Sequence, residues 1–161
     1  MNSAADTGAR ITRTYRQTIE ATPEMVFPLL CPVREAEWLD GWRYTMVHSR
    51  SGLAEHGAVF TTPRAGEADT VWIVTRHDAA DGAVEFARFT PGLHVCLLAV
   101  AVSPASEGRS HVDVAYTYTA LTSAGARWLA SFTEEAFLDA VTFWERAMNY
   151  FLKTGSRLAK S

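Results

Sequence analysis

The chain has 161 residues, enough for one domain with its own core, and its 48% hydrophobic and 20% charged content is that of an ordinary globular protein. A net charge of −3 leaves no basic surplus to neutralise phosphates, which argues against a dedicated nucleic-acid binder. The two cysteines, Cys31 and Cys96, lie far apart and outside any Cys-x-x-Cys pair, so a structural zinc site lacks ligands. Buried free thiols are favoured over a single disulfide.

Met1 to Arg10 is polar, reads as disordered and has no apolar stretch of the signal-peptide kind. The longest apolar run, Val95 to Val102, is too short for a transmembrane segment. A cytoplasmic location is the default expectation. Ile11 to Ile19 alternates with Thr and Arg and predicts a strand. Thr22-Pro23-Glu24 then starts a helix, with Thr as cap and Pro at the first helical position. Pro28 and Pro32 keep that helix short, and a second short turn runs from Pro32 to Trp38.

From Trp42 to Leu121 the chain predicts an antiparallel meander with strands at 43–50, 57–62, 70–78, 83–90, 93–103 and 110–120. The connections are too short for parallel crossovers. Asp81-Gly82 is the clearest hairpin signal. Ser123 to Ser131 reads as a separate turn of helix, and Ser131 with Glu134 fits a capping box for the next one. That long helix, Thr133 to Thr154, carries Phe137, Val141, Trp144, Met148 and Phe151 at four-three-four-three spacing. Asp139, Thr142, Arg146, Asn149 and Lys153 fall on the opposite side, and Gly155 stops the helix. Such an apolar stripe has to lie on the sheet before it, which gives an α+β chain with its helices on one face of the sheet.

Three features, in this order, resemble the START-like superfamily, also called SRPBCC or helix-grip proteins. They are the opening Ile19-Glu20-Ala21-Thr22-Pro23-Glu24-Met25-Val26-Phe27, the glycine-punctuated meander, and the long helix ending Phe151-Leu152-Lys153-Thr154-Gly155. The segment from Cys31 to Trp42 resembles a bacterial subgroup of that superfamily. The resemblance covers about residues 11 to 155 of what reads as a single domain. It implies a helix-grip fold, with a curved antiparallel sheet of about seven strands wrapped on the C-terminal helix and two short helices after the first strand. It also implies a hydrophobic cavity between helix and sheet, small-molecule or lipid binding, and in some members cyclase or dehydratase chemistry.

The candidate ligand-binding residues are Trp38, Trp42, Trp72, Phe86, Tyr116, Tyr118, Phe137, Val141 and Trp144, with Arg88 and His94 as polar members. Alternation puts Val112, Val114, Tyr116 and Tyr118 on one face and His111, Asp113 and Thr117 on the other. Core filling and cavity lining are balanced readings of the aromatics, tipped towards a cavity by two tyrosine hydroxyls that need partners. An inward Arg88 would call for an anionic ligand group or a carboxylate partner, but the weight of the sequence lies with a side chain that snorkels outward near Thr90-Pro91-Gly92. His94 is the one weak catalytic candidate, and a hydrogen-bonded histidine without chemistry is the commoner case. Arg34 and Glu37 are spaced to pair across a helix surface, and Glu35 or Glu37 at a cavity mouth also reads best as an exposed ion pair.

No phosphate loop, nucleophile elbow or metal-binding helix motif is present, so no metal or other cofactor is expected. The leading expectation is a carrier or sensor for a hydrophobic ligand, a lipid or polyketide-like aromatic. The alternatives are a cyclase- or dehydratase-type enzyme using the same cavity, and a chaperone-cofactor-like module that binds protein through an exposed apolar patch. A homodimer is left open.

Overall fold

The computed structural model describes residues 8–161. Strand β1 (Arg10–Ile19) leads into helix α1 (Pro23–Val26), a 3-10 turn (Phe27–Leu29) and helix α2 (Pro32–Trp38). The meander follows as β2 (Thr45–His48), β3 (Val59–Arg64), β4 (Glu67–Asp78), β5 (Ala83–Thr90), β6 (His94–Pro104) and β7 (Ser110–Ala120). Helices α3 (Ser123–Ser131) and α4 (Glu134–Thr154) complete the fold. All neighbouring strands pair antiparallel, in the order β1-β7-β6-β5-β4-β3-β2. Only β1 leaves its sequence neighbour, closing against β7 from Arg10↔Thr119 to Ile19↔Ser110. This is the helix-grip architecture that the resemblance implied.

Period-two burial builds the concave face. On β6, His94, Cys96, Leu98, Val100 and Val102 are buried while Leu97 is exposed. Helix α4 buries Phe137, Val141, Ala147 and Met148 against this face, with Trp144 and Phe151 packed at its margin. Phe137, Val141 and Met148, which are fully buried, each contribute about 1.5–3 kcal/mol.

Polar groups fix the helix to β1, which is an edge strand. The buried Gln17 amide Nε2 donates to the Val141 carbonyl (3.0 Å). Glu145 accepts from the Thr18 N–H (2.6 Å), while Asn149 accepts from the Glu20 N–H (2.8 Å) and donates to the Thr18 carbonyl (3.0 Å). Asn149, on the side opposite the stripe, is therefore half-buried against β1, where it satisfies backbone groups of an edge that would otherwise be free to pair with another strand.

Two terminal expectations need correction. Thr133, not Ser131, caps α4, accepting from the Ala136 N–H (3.1 Å), while the Ser131 hydroxyl turns back to the Trp128 carbonyl (2.7 Å). Residues 8–10 are ordered, since the Gly8 N–H donates to the Ala120 carbonyl (2.9 Å) and Arg10 begins β1. The rest of the expected disorder falls on residues outside the described range. Gly155 ends α4 with φ 73°, a left-handed conformation that only glycine adopts freely. Both cysteines are free and buried. Among the described residues no helix is long and apolar enough to cross a membrane.

Candidate functional site

The concave face and α4 do not meet everywhere. Between them lies an outer chamber of about 580 Å³, walled by Tyr116, Tyr118, Phe132, Phe137, Val141, Phe143 and Trp144. Its mouth lies beside the loop Leu39–Trp42, and Lys160 forms part of the rim. The C-terminal segment is held there by an N–H of Lys160 donating to Asp40 Oδ2 (2.8 Å) and by a bridge between Leu39 and Leu158. Further in is a smaller chamber of about 120 Å³, walled by Glu35, Phe60, Trp72, Phe86, Leu98 and Val100. Leu39, Trp42, Arg88, Tyr116 and Trp144 border both chambers. The outer volume is that of a small-molecule site.

Arg88 stands at the junction. It points inward, against the snorkelling expectation, because β5 alternation puts it on the same face as the buried Val84 and Phe86. Aromatic faces receive the cation. Its guanidinium carbon lies 4.8 Å from the Trp72 ring centroid, 5.4 Å from that of Tyr118 and 5.6 Å from that of Tyr116. One terminal nitrogen donates to the Tyr118 hydroxyl. The Nε is buried without a partner, and among the described residues no carboxylate forms an ion pair with Arg88. A guanidinium keeps its charge in any protein environment, so a full positive charge faces the cavity unanswered.

Glu35 is the polar group that sequence reasoning placed wrongly. Arg34 and Glu37 do pair on the surface of α2 (2.6 Å), as expected. Glu35 is rotated away from that pair and lines the inner chamber instead. It makes no hydrogen bond or ion pair with the described residues, and burial alone pushes its carboxyl up to about 8. At neutral pH it is mostly the uncharged acid. A signal was present in the sequence: Trp38 and Leu39 follow Glu35 at i+3 and i+4, and an apolar stripe on so short a helix turns inward.

Burial pushes the Tyr116 hydroxyl up to about 12, opposed by the nearby Arg88, and raises Tyr118 as well. Both stay protonated donors. The Trp42 indole donates to the Pro32 carbonyl (2.9 Å) and that of Trp72 to Thr62 Oγ1 (3.0 Å), so both rings are held in place. Two of the sequence candidates lie off the chambers. Trp38 is fully buried, donates to the Leu29 carbonyl (3.1 Å) and stacks on Trp144 at 6.4 Å. His94 is buried behind Tyr118 (4.9 Å between centroids) and under Trp128 of α3 (4.4 Å), with its Nδ1 unpartnered. Desolvation, then the charges of Arg88 and Arg64, lower His94 to about 4. It is neutral at pH 7 and lies behind the tyrosine wall.

A hollow of about 590 Å³ on the other side of the sheet passes over Ala99, Ala101 and Ala115. Its charged rim is already paired, Arg16 with Asp113 at 2.7 Å and Arg76 with Glu85 at 3.5 Å, so no unanswered group remains there to recognise a ligand. Among the described residues no cluster of three His, Cys, Asp or Glu is placed to hold a metal ion.

No protein-family profile matches the sequence, and no curated protein sequence matches it either. Solved structures do. Ara h 8.0201 superposes with a TM-score of 0.63 at 14% identity, over 91% of this chain and 99% of that one. Norcoclaurine synthase from Thalictrum flavum, solved with dopamine and hydroxybenzaldehyde, gives a TM-score of 0.66 at 11% identity, over 91% and 88%. DynU16, from the dynemicin biosynthetic locus, gives 0.59 at 15% identity, over 90% of this chain and 48% of that one. At these identities the likeness is one of fold.

Proposed function

We propose that this chain, which has the helix-grip fold of the START-like superfamily, binds an amphipathic aromatic small molecule whose negatively charged or strongly polarised oxygen docks on Arg88. The observation that carries this reading is the guanidinium itself, turned into a cavity with a free Nε and no carboxylate beside it. A buried cation without a counter-ion destabilises the empty fold, and a ligand anion would relieve that. Trp42, Trp72, Tyr116 and Trp144 around it favour a flat apolar body. Burial of that body would supply most of the affinity, at about 25 cal/mol per Å² before ordering costs. The ligand of norcoclaurine synthase named above, hydroxybenzaldehyde, is an aromatic carbonyl compound, which is consistent with this class. An open interior also weighs against the protein-binding module, which requires a filled one.

The test is a titration with 2-naphthoate and with 2-naphthamide, its neutral counterpart, followed by quenching of tryptophan fluorescence. The carboxylate is expected to bind at least about tenfold more tightly than the amide, as a charge-assisted hydrogen bond gives. Arg88→Met should erase that preference. Failure of the wild-type protein to bind 2-naphthoate, or a preference that survives in Arg88→Met, overturns the proposal.

A further inference from the structure

Two polar groups line the inner chamber with hydrogen-bonding capacity left unused, and they differ in kind. Arg88 is a permanent cation with an unused N–H. Glu35 is a carboxyl to which nothing donates and from which nothing accepts among the described residues. Tyr116 of β7 lines the same chamber, its ring centroid 5.6 Å from the Arg88 guanidinium carbon. We infer that the inner chamber is a proton-transfer site, in which Glu35 moves a proton to and from the carbon next to a ketone while Arg88 and the Tyr116 hydroxyl hold the ketone oxygen. This rests on the preceding reading, that Arg88 receives the negative oxygen of a ligand, and names what that oxygen becomes.

The chemistry follows from the placement. If Glu35 were the counter-ion of Arg88, the guanidinium would hold its carboxyl down; burial instead drives it up, to about 8. Such a carboxyl is ionised in about one molecule in ten at pH 7, and the ionised form is a far stronger base than an ordinary carboxylate. That carboxylate takes a proton from the carbon. The C–H electron pair becomes a C=C bond, and the carbonyl π pair moves onto oxygen. The resulting enolate lies against the guanidinium and the tyrosine hydroxyl. Glu35, now the acid, returns a proton to the same carbon, or to the far end of a conjugated system, which shifts the double bond; where its proton first exchanges with water, the carbon receives a solvent proton instead. No oxidant, reductant or co-reactant is consumed. The other titratable groups that border Glu35 are few. Arg88 of β5 and Tyr116 of β7 share its chamber, α4 presents only Trp144, and Arg34 and Glu37 on its own helix pair with each other at the surface.

The probe is 2-tetralone, a bicyclic ketone with acidic protons beside its carbonyl. Proton NMR in deuterated buffer follows their exchange. Wild-type protein is expected to speed exchange over buffer on the order of a hundredfold, the range of general acid–base catalysis. The rate should climb with pH to a midpoint near 8, the ionisation of Glu35. Glu35→Gln should fall to the buffer rate while keeping the circular dichroism of the folded wild type. Glu35→Asp should retain a reduced but measurable acceleration with the same shape of pH profile. Wild-type protein that binds 2-naphthoate but does not accelerate exchange ends this inference and leaves the binding proposal standing. An equally fast Glu35→Gln also ends it. Loss of 2-naphthoate binding ends both.

Discussion

Arg88 carries a conflict between stability and recognition. Removing a guanidinium from water costs several kcal/mol even after relaxation. Its compensation here is three aromatic faces within 6 Å and one hydrogen bond to Tyr118. Cation–π contacts return about 0.5–2 kcal/mol each, less where they share one cation. The cation is therefore under-compensated in the ligand-free protein. Met has a similar length and no charge, so Arg88→Met should raise the Tm of the ligand-free protein by roughly 2–4 °C, the shift of about 1 kcal/mol in a chain of this size. Thermal unfolding by circular dichroism checks it, and an unchanged or lower Tm would mean the aromatic cage already balances the charge. The same change should abolish discrimination of 2-naphthoate, which separates a functional from a structural role for the side chain.

At the scale of elements, helix α3 is set by one glycine. A Cβ at Gly125 would lie 1.8 Å from the Leu93 carbonyl oxygen, a backbone atom that cannot swing away. That closeness brings Trp128 and Leu129 down over His94 and Tyr118. Gly125→Ala should destabilise the fold by about 1–3 kcal/mol, in the range of overpacked sites, and loosen the wall behind Tyr118. A urea titration reads the first effect and the near-ultraviolet dichroism of the tryptophans the second; wild-type values in both would show that α3 sits elsewhere. Sequence reading works where the signal is local, which that close approach is not. The α4 stripe and the β7 alternation are local periodicities, and each predicted the observed inward face. Arg88 went astray because what favours an inward cation is Trp72 and Tyr118, brought to it only by strand pairing. Glu35 went astray for the same reason: the sheet side of its chamber is built by β3, β4, β5, β6 and β7, all later in the chain. Asn149 looked solvent-facing because the edge it serves belongs to β1.

For the whole molecule, two desolvated titratable groups set opposing pH dependences. Glu35 has a folded value of about 8 against an ordinary 4.5, so the folded chain holds a proton that the unfolded chain releases. Its contribution is fully present below about pH 4.5 and is lost as pH rises through 8. His94 has a folded value of about 4 against 6.5, so the unfolded chain takes up the proton first. Its contribution is present above about pH 6.5 and is lost as pH falls through 4. Glu55 acts in the same sense as His94 at lower pH. Hydrogen bonds from the Ser51 N–H and from the Ser49 and Ser51 hydroxyls hold it at about 2, so its contribution fades as pH falls from about 4.5. Between about pH 4.5 and 6.5 the slopes from Glu35 and His94 have opposite signs and nearly cancel. Stability should therefore be flat over that window, fall below it, and fall again between about pH 6.5 and 8. Glu35→Gln should remove the alkaline fall, leaving the variant more stable than wild type above about pH 8. His94→Phe, which keeps a ring between Tyr118 and Trp128, should remove the compensating rise and turn the flat window into a slope that descends with pH. Denaturant midpoints measured across this range decide the matter. A wild-type profile without the alkaline fall, or one that Glu35→Gln leaves in place, would place the carboxyl in water rather than in the inner chamber, and the proton-transfer site would go with it.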